Sequence, residues 1–123
     1  MPHCFIPVAL GELFDKYSIL LIKRERITNI EKKTAVQLEI DYLSPIVNQY
    51  LLDYSLQKQI KQINEELWDI EEKIREKETL LQFDQEFIDL ARRVYKTNDE
   101  RCRIKNKINV VLHSDIKEMK SYV

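Results

Sequence analysis

Glycine is nearly absent from this chain: there is one, Gly11, in 123 residues, with only three prolines, Pro2, Pro7 and Pro45. Sheet-rich and loop-rich folds use these residues for their turns, so the scarcity excludes a strand-and-turn architecture. It also removes the Gly-rich loop that would cradle a phosphate or build a nucleophile elbow. The two cysteines, Cys4 and Cys102, form no CxxC pair and no cluster of metal-ligand spacing with His3 and His113, so reduced, buried thiols are expected. Cys102 has no histidine near it in sequence, and no catalytic residue is assigned. An excess of either charge is missing as well. Twenty Lys and Arg against 21 Asp and Glu leave a formal charge of -1, which argues against a general attraction to nucleic acid or to an anionic membrane. No apolar run approaches the roughly 18 residues of a membrane span, and the opening MPHCFIPVAL lacks the basic start and long apolar core of a secretory signal. A cytoplasmic location, with neither membrane nor nucleic acid as partner, is expected.

What the chain does have is helical periodicity. From Ser55 to Leu112 it runs without glycine or proline. Within that stretch Leu56, Ile60, Ile63, Leu67, Ile70 and Ile74 step by four, three, four, three and four, a heptad seam flanked by charged residues. Earlier, Leu10, Leu13, Phe14, Tyr17, Leu20, Leu21 and Ile27 predict a first helix ending at about Arg26, and Thr28 with Glu31 predicts a capping box for the second. The second helix is given the stripe Ala35, Leu38, Tyr42 and Leu43. Ser44-Pro45 then predicts a break, followed by a short apolar helix with Ile46, Val47, Tyr50, Leu51 and Tyr54. Asp84 predicts the cap of the last long helix, with Phe83 stapled to Ile88 and an end near Leu112. The two early prolines predict an extended N-terminal arm packed over the bundle, and Ile116 with Met119 predicts a short C-terminal helix. The fold class is therefore all-α: a single helical domain over 1–123, a bundle of about four main helices with an extended N-terminal arm and a short C-terminal helix.

The last long helix carries an anomaly. Its apolar row, Phe87, Ala91, Val94, Asn98, Arg101, Lys105, Ile108 and Leu112, is interrupted by three polar residues; the neighbouring row through Ile88, Tyr95, Cys102 and Asn109 still includes Asn98 and Lys105. Buried cations require carboxylate partners, water or an anionic ligand. Glu12 and Asp15 of the first helix are within reach as partners. On the heptad helix, Asn64, Trp68, Glu71, Arg75 and Glu78 form a second stripe holding the only tryptophan, which implies a second buried surface. Two readings follow. One is a structural network that sets helix register. The other is a small anion-binding pocket at Asn98, Arg101 and Lys105, closed by Glu71, Arg75 and Tyr95 and flanked by Trp68.

Glu65-Glu66-Leu67-Trp68-Asp69 with Glu86-Phe87-Ile88-Asp89 resembles the ExxE and ExxD pairs of the MazG-type nucleotide pyrophosphohydrolases, and Lys96 to Arg101 resembles their later Lys/Asn/Arg segment. The resemblance implies Mg²⁺ held by Glu65, Glu66, Asp69, Glu86 and Asp89, with Lys96 and Arg101 on phosphate. It departs from that family at Asp69, where a glutamate is expected, and it sets the acids of the first element on the face opposite the seam. A wider resemblance spans most of the chain. GELFDKYSILLIKRERI, ELWDIEEKIREKE, FDQEFIDLARRVYKTNDERCRIKNKIN and EMKSY resemble the recurring blocks of a small, uncharacterised all-helical family of bacteria and viruses, in the patterns GEL-x-DK, LW-x-IE-x-x-IR, FD-x-x-F and ND-x-R. That resemblance implies a shared fold and no activity. The expected role is a non-enzymatic interaction or assembly module without a cofactor, a dimer contacting its partner through the Trp68 flank or the heptad seam. The Mg²⁺-dependent hydrolase and the anion-binding bundle are the alternatives.

Overall fold

A computed structural model describes residues 2–121. Four helices occur in the order α1 (Leu10–Arg26), α2 (Ile30–Val47), α3 (Tyr54–Thr79) and α4 (Gln85–Val111), with no strand among the described residues. The ends of α1 and α4 fall where periodicity and turn chemistry predict them. α3 and α4 form an antiparallel hairpin about 40 Å long, and α1 lies across both, while α2 packs against α1 alone.

The core is built from Leu13 and Phe14 of α1, Ile60 and Ile63 of α3, and Ile104 and Ile108 of α4, closed at one end by Val47 and Leu52. The heptad seam of α3 thus faces helices of its own chain. It is filled from within and is not the contact surface for a partner that its spacing suggested. On α4 the inward row is Leu90, Val94, Thr97, Arg101, Ile104 and Ile108, of which Leu90, Thr97, Ile104 and Ile108 are buried, whereas Ile88, Ala91 and Tyr95 are exposed. It shares Val94, Arg101 and Ile108 with the expected row, and the expected Lys105, Cys102 and Asn109 are buried beside it. α1 ends with Arg26 against Asp69, so the last ten residues of α3, 70–79, project beyond it with the start of α4, by about 15 Å.

The single glycine stands where two helices touch. The Gly11 amide donates to Asn109 Oδ1 at 2.6 Å, and a Cβ at this position would collide with the Lys105 carbonyl of α4. α1 has no side-chain cap of its own, Ala9 occupying that position. Its first amides are satisfied from the far end of the chain, by Asn109 and by Ser114 Oγ, which accepts from the Leu10 amide at 3.1 Å. Elsewhere the lack of glycine shows as strain. α3 and α4 both end in a hydrogen-bonded Schellman turn, from Gln82 N–H to Lys77 O (2.9 Å) and from Ser114 N–H to Asn109 O (2.8 Å). The left-handed position in each is taken by Leu81 (φ 54°) and His113 (φ 55°).

Five expectations are corrected. Helix α2 continues through Pro45 to Val47, because a proline in the last turn removes only one hydrogen bond; residues 48–53 are then non-helical and the short apolar helix is absent. The cap of α2 is Asn29, accepting from the Lys32 amide at 3.0 Å, in place of Thr28. Phe83 meets the Phe87 ring edge-on at 5.2 Å and Ile88 stays exposed, although Asp84 does cap α4 through the Phe87 amide at 3.0 Å. The tail at 112–121 forms no helix; Ser114 and Glu118 tie it to α1 and α4 instead. Cys102 is buried but Cys4 is exposed, as is most of the arm at 2–8.

Candidate functional site

The polar residues of α4 meet one buried carboxylate. Asp15 of α1 is 1% exposed, and Arg101 grips it side-on, Nε donating to Oδ1 at 2.8 Å and Nη2 to Oδ2 at 2.5 Å. Asn64 of α3 donates to Asp15 Oδ1 (2.9 Å) and to Ser18 Oγ (2.8 Å), and Ser18 Oγ donates back to the Asp15 carbonyl (2.7 Å). Three helices are thereby pinned at one point, and Asp15 sits in the GELFDK block while Arg101 sits in NDER. The Asp15 hydrogen bond raises the Arg101 pKa further above its usual value, against the opposing effect of burial. Lys105, one turn further along α4, has a side chain only 8% exposed; its Nζ lies 2.7 Å from Glu12 of α1 and 2.7 Å from Glu118 of the tail. Burial pulls the Lys105 pKa down, and the contacts with Glu118 and Glu12 outweigh it and raise the pKa overall. The expectation that Glu12 and Asp15 answer the inward cations is met. Ser18, Ser114 and Glu118 were missed, since a hydroxyl and a tail acid give no periodic signal.

Five of the seven expected pocket residues come together. Trp68, Glu71, Arg75, Asn98 and Arg101 line an open cleft of about 520 Å³, with Ile19 and Ile22 of α1 and Leu67 of α3 on its apolar side. Tyr95 is exposed and Lys105 is sequestered by its two glutamates; neither lines the cleft. Every arginine at the cleft has a carboxylate beside it. Arg101 holds Asp15, and Arg75 Nε is 3.7 Å from Glu71. Arg26 stands over the Trp68 ring at 5.8 Å and bonds Asp69 at 2.6 Å, while the indole N–H donates to Glu72 at 2.8 Å. Arg101 is thus committed to Asp15, whereas the Arg75 pair is long and solvent-exposed.

The acidic residues of the hydrolase reading are occupied by other side chains, four of the five by cations. Glu65 and Asp69 face Arg26 at 3.9 and 2.6 Å, Glu66 faces Arg93 at 3.6 Å, Glu86 faces Lys77 at 3.1 Å, and Asp89 accepts from Gln85 at 2.9 Å. No group of three or more His, Cys, Asp or Glu among the described residues is placed to hold a metal ion. These side chains do not fit a Mg²⁺ centre.

A different surface stands out. The residues of α2 that pack toward α1 are Val36, Ile40, Leu43 and Val47, with Leu20, Leu21 and Tyr17 on the other side. Of the stripe expected to face inward, Leu43 does so, while Ala35, Leu38 and Tyr42 are exposed, and Pro45 continues their row. At 100° per residue Leu38 points about 160° away from Ile40 and from Val36. Helix α2 therefore carries two opposed apolar faces, one covered and one bare. The N-terminal arm runs beside the bare one: the His3 ring lies 4.7 Å from Tyr42 and 5.1 Å from Phe5.

No helix of the described residues is long and apolar enough to cross a membrane. No curated protein and no solved structure matches the chain. A family model described as a family of unknown function, DUF6165, matches residues 5–123, and the chain belongs to that family.

Proposed function

We propose that this DUF6165 protein is a non-enzymatic assembly module that docks through the bare face of α2 and the arm beside it. One observation carries the reading: a helix apolar on opposite sides is the kind that is buried on both, and α2 is covered on one. The cleft at Trp68 supports no rival of equal weight, because its inner arginine, Arg101, is held by Asp15 and its acids are not gathered. The carboxylate network belongs with the docking face as its support. It fixes α1 against α3 and α4, and α1 in turn presents α2.

Sedimentation equilibrium of the wild type and of Leu38→Lys tests this. Leu38 is 57% exposed, so a lysine there leaves the chain folded, which circular dichroism verifies. The wild type is expected to show a mass above the 14.8 kDa of one chain, and the variant to fall back to it. A wild type that self-associates while Leu38→Lys keeps the same mass contradicts the proposal.

A further inference from the structure

We infer that the occupant of this face is a second copy of the same chain, its α2 laid antiparallel across the first with the two-fold axis at Leu38. The inference rests on the docking-face reading and adds the identity and orientation of the partner. An isologous contact requires a surface that is complementary to itself. Leu38 stands at the middle of α2, Ile30–Val47, with the small Thr34 and Ala35 on one side of it and the larger Tyr42 and Pro45 on the other, so an antiparallel pair centred there sets Thr34 of each copy against Tyr42 of the other. Area points the same way. Phe5, Ile6, Ile30, Leu38 and Tyr42 are 84, 70, 80, 57 and 48% exposed. At ordinary side-chain sizes α2 and the arm expose up to about 700 Å² through these five residues, so a joint that uses both approaches what each partner of a stable complex contributes.

Charge selects the orientation. Glu31 is the acid nearest the centre line of this stripe, at its N-terminal end, and Asp41 flanks it. A parallel pairing sets Glu31 against Glu31 and Asp41 against Asp41. The antiparallel pairing holds the two Glu31 residues about 20 Å apart along the axis, beyond the screening length in physiological salt, and it opposes the helix dipoles. The arm of each copy then lies at the edge of the joint, where its exposed Phe5 and Ile6 extend the contact.

Cysteine pairs read the register in a Cys4→Ser background, which removes the exposed native thiol and leaves only the buried Cys102. Leu38→Cys is expected to crosslink to itself with a short bis-maleimide at least about tenfold faster than Arg92→Cys on the exposed side of α4, since a facing pair has a raised effective concentration. Thr34→Cys and Tyr42→Cys are expected to crosslink when mixed and to do so poorly alone. Two outcomes overturn the inference. In a protein that sediments as a dimer which Leu38→Lys dissociates, slow crosslinking at Leu38→Cys overturns the symmetric arrangement and leaves the docking face standing. A wild type that stays at the mass of one chain and forms no Leu38→Cys crosslink overturns the second copy as occupant.

Discussion

Asp15 and Arg101 are the pair on which the bundle's register turns. Asp15 is almost wholly withdrawn from water, and its remaining acceptor capacity is met by Asn64, so removing the arginine strands a buried charge. Arg101→Met is expected to lower stability by about 3–5 kcal/mol, and Asp15→Leu with Arg101→Met to recover part of that loss, because no charge is left buried and Asn64 keeps Ser18 as an acceptor. Urea denaturation of the wild type and the two variants checks both; an Arg101→Met midpoint equal to the wild type contradicts the role given to the pair. At this scale the chemistry was legible ahead of the geometry. Inward cations on α4 demanded acids, and Glu12 and Asp15 were the acids in reach. What could not be read was that Lys105 and Arg101 part company. Arg101 borders the Trp68 cleft while Lys105 is drawn between Glu12 and Glu118, a separation set by a tail whose acid carries no pattern.

At the scale of elements, periodicity located α1, α3 and α4 and failed on the face of α2. Two rows in that helix, Ala35/Leu38/Tyr42 and Val36/Ile40/Leu43/Val47, are both apolar at helical spacing, so local pattern alone cannot choose between them. Only the match to Leu20 and Leu21 of α1 decides. Pro45 misled for a related reason: its effect depends on how far it stands from the helix end, which sequence leaves open. The turn after α3 shows the opposite case, a local rule broken. Leu81 adopts a left-handed conformation in a position that suits glycine, and its side chain is 74% exposed, with little packing to lose. Leu81→Gly is expected to raise stability by about 0.5–1 kcal/mol, the relief of the left-handed strain less the added freedom of the unfolded chain. A higher urea midpoint at unchanged slope bears this out, and a lower midpoint means that Leu81 packs in solution against something the isolated chain lacks.

For the whole molecule the consequence is a division of labour. α1, α3 and α4 share the core and the carboxylate network, and α2 hangs on α1 by one face, with its other face and the arm turned outward. Stability is graded accordingly: amides of α3 and α4 open only with global unfolding, while those of α2 open locally unless something covers the bare side. Hydrogen exchange followed across a range of protein concentrations tests this most directly. Protection of the amides in 34–47 is expected to rise with concentration while that of the α3 and α4 core stays constant. Protection in α2 that already equals the core at the lowest concentration, and does not change, contradicts the account.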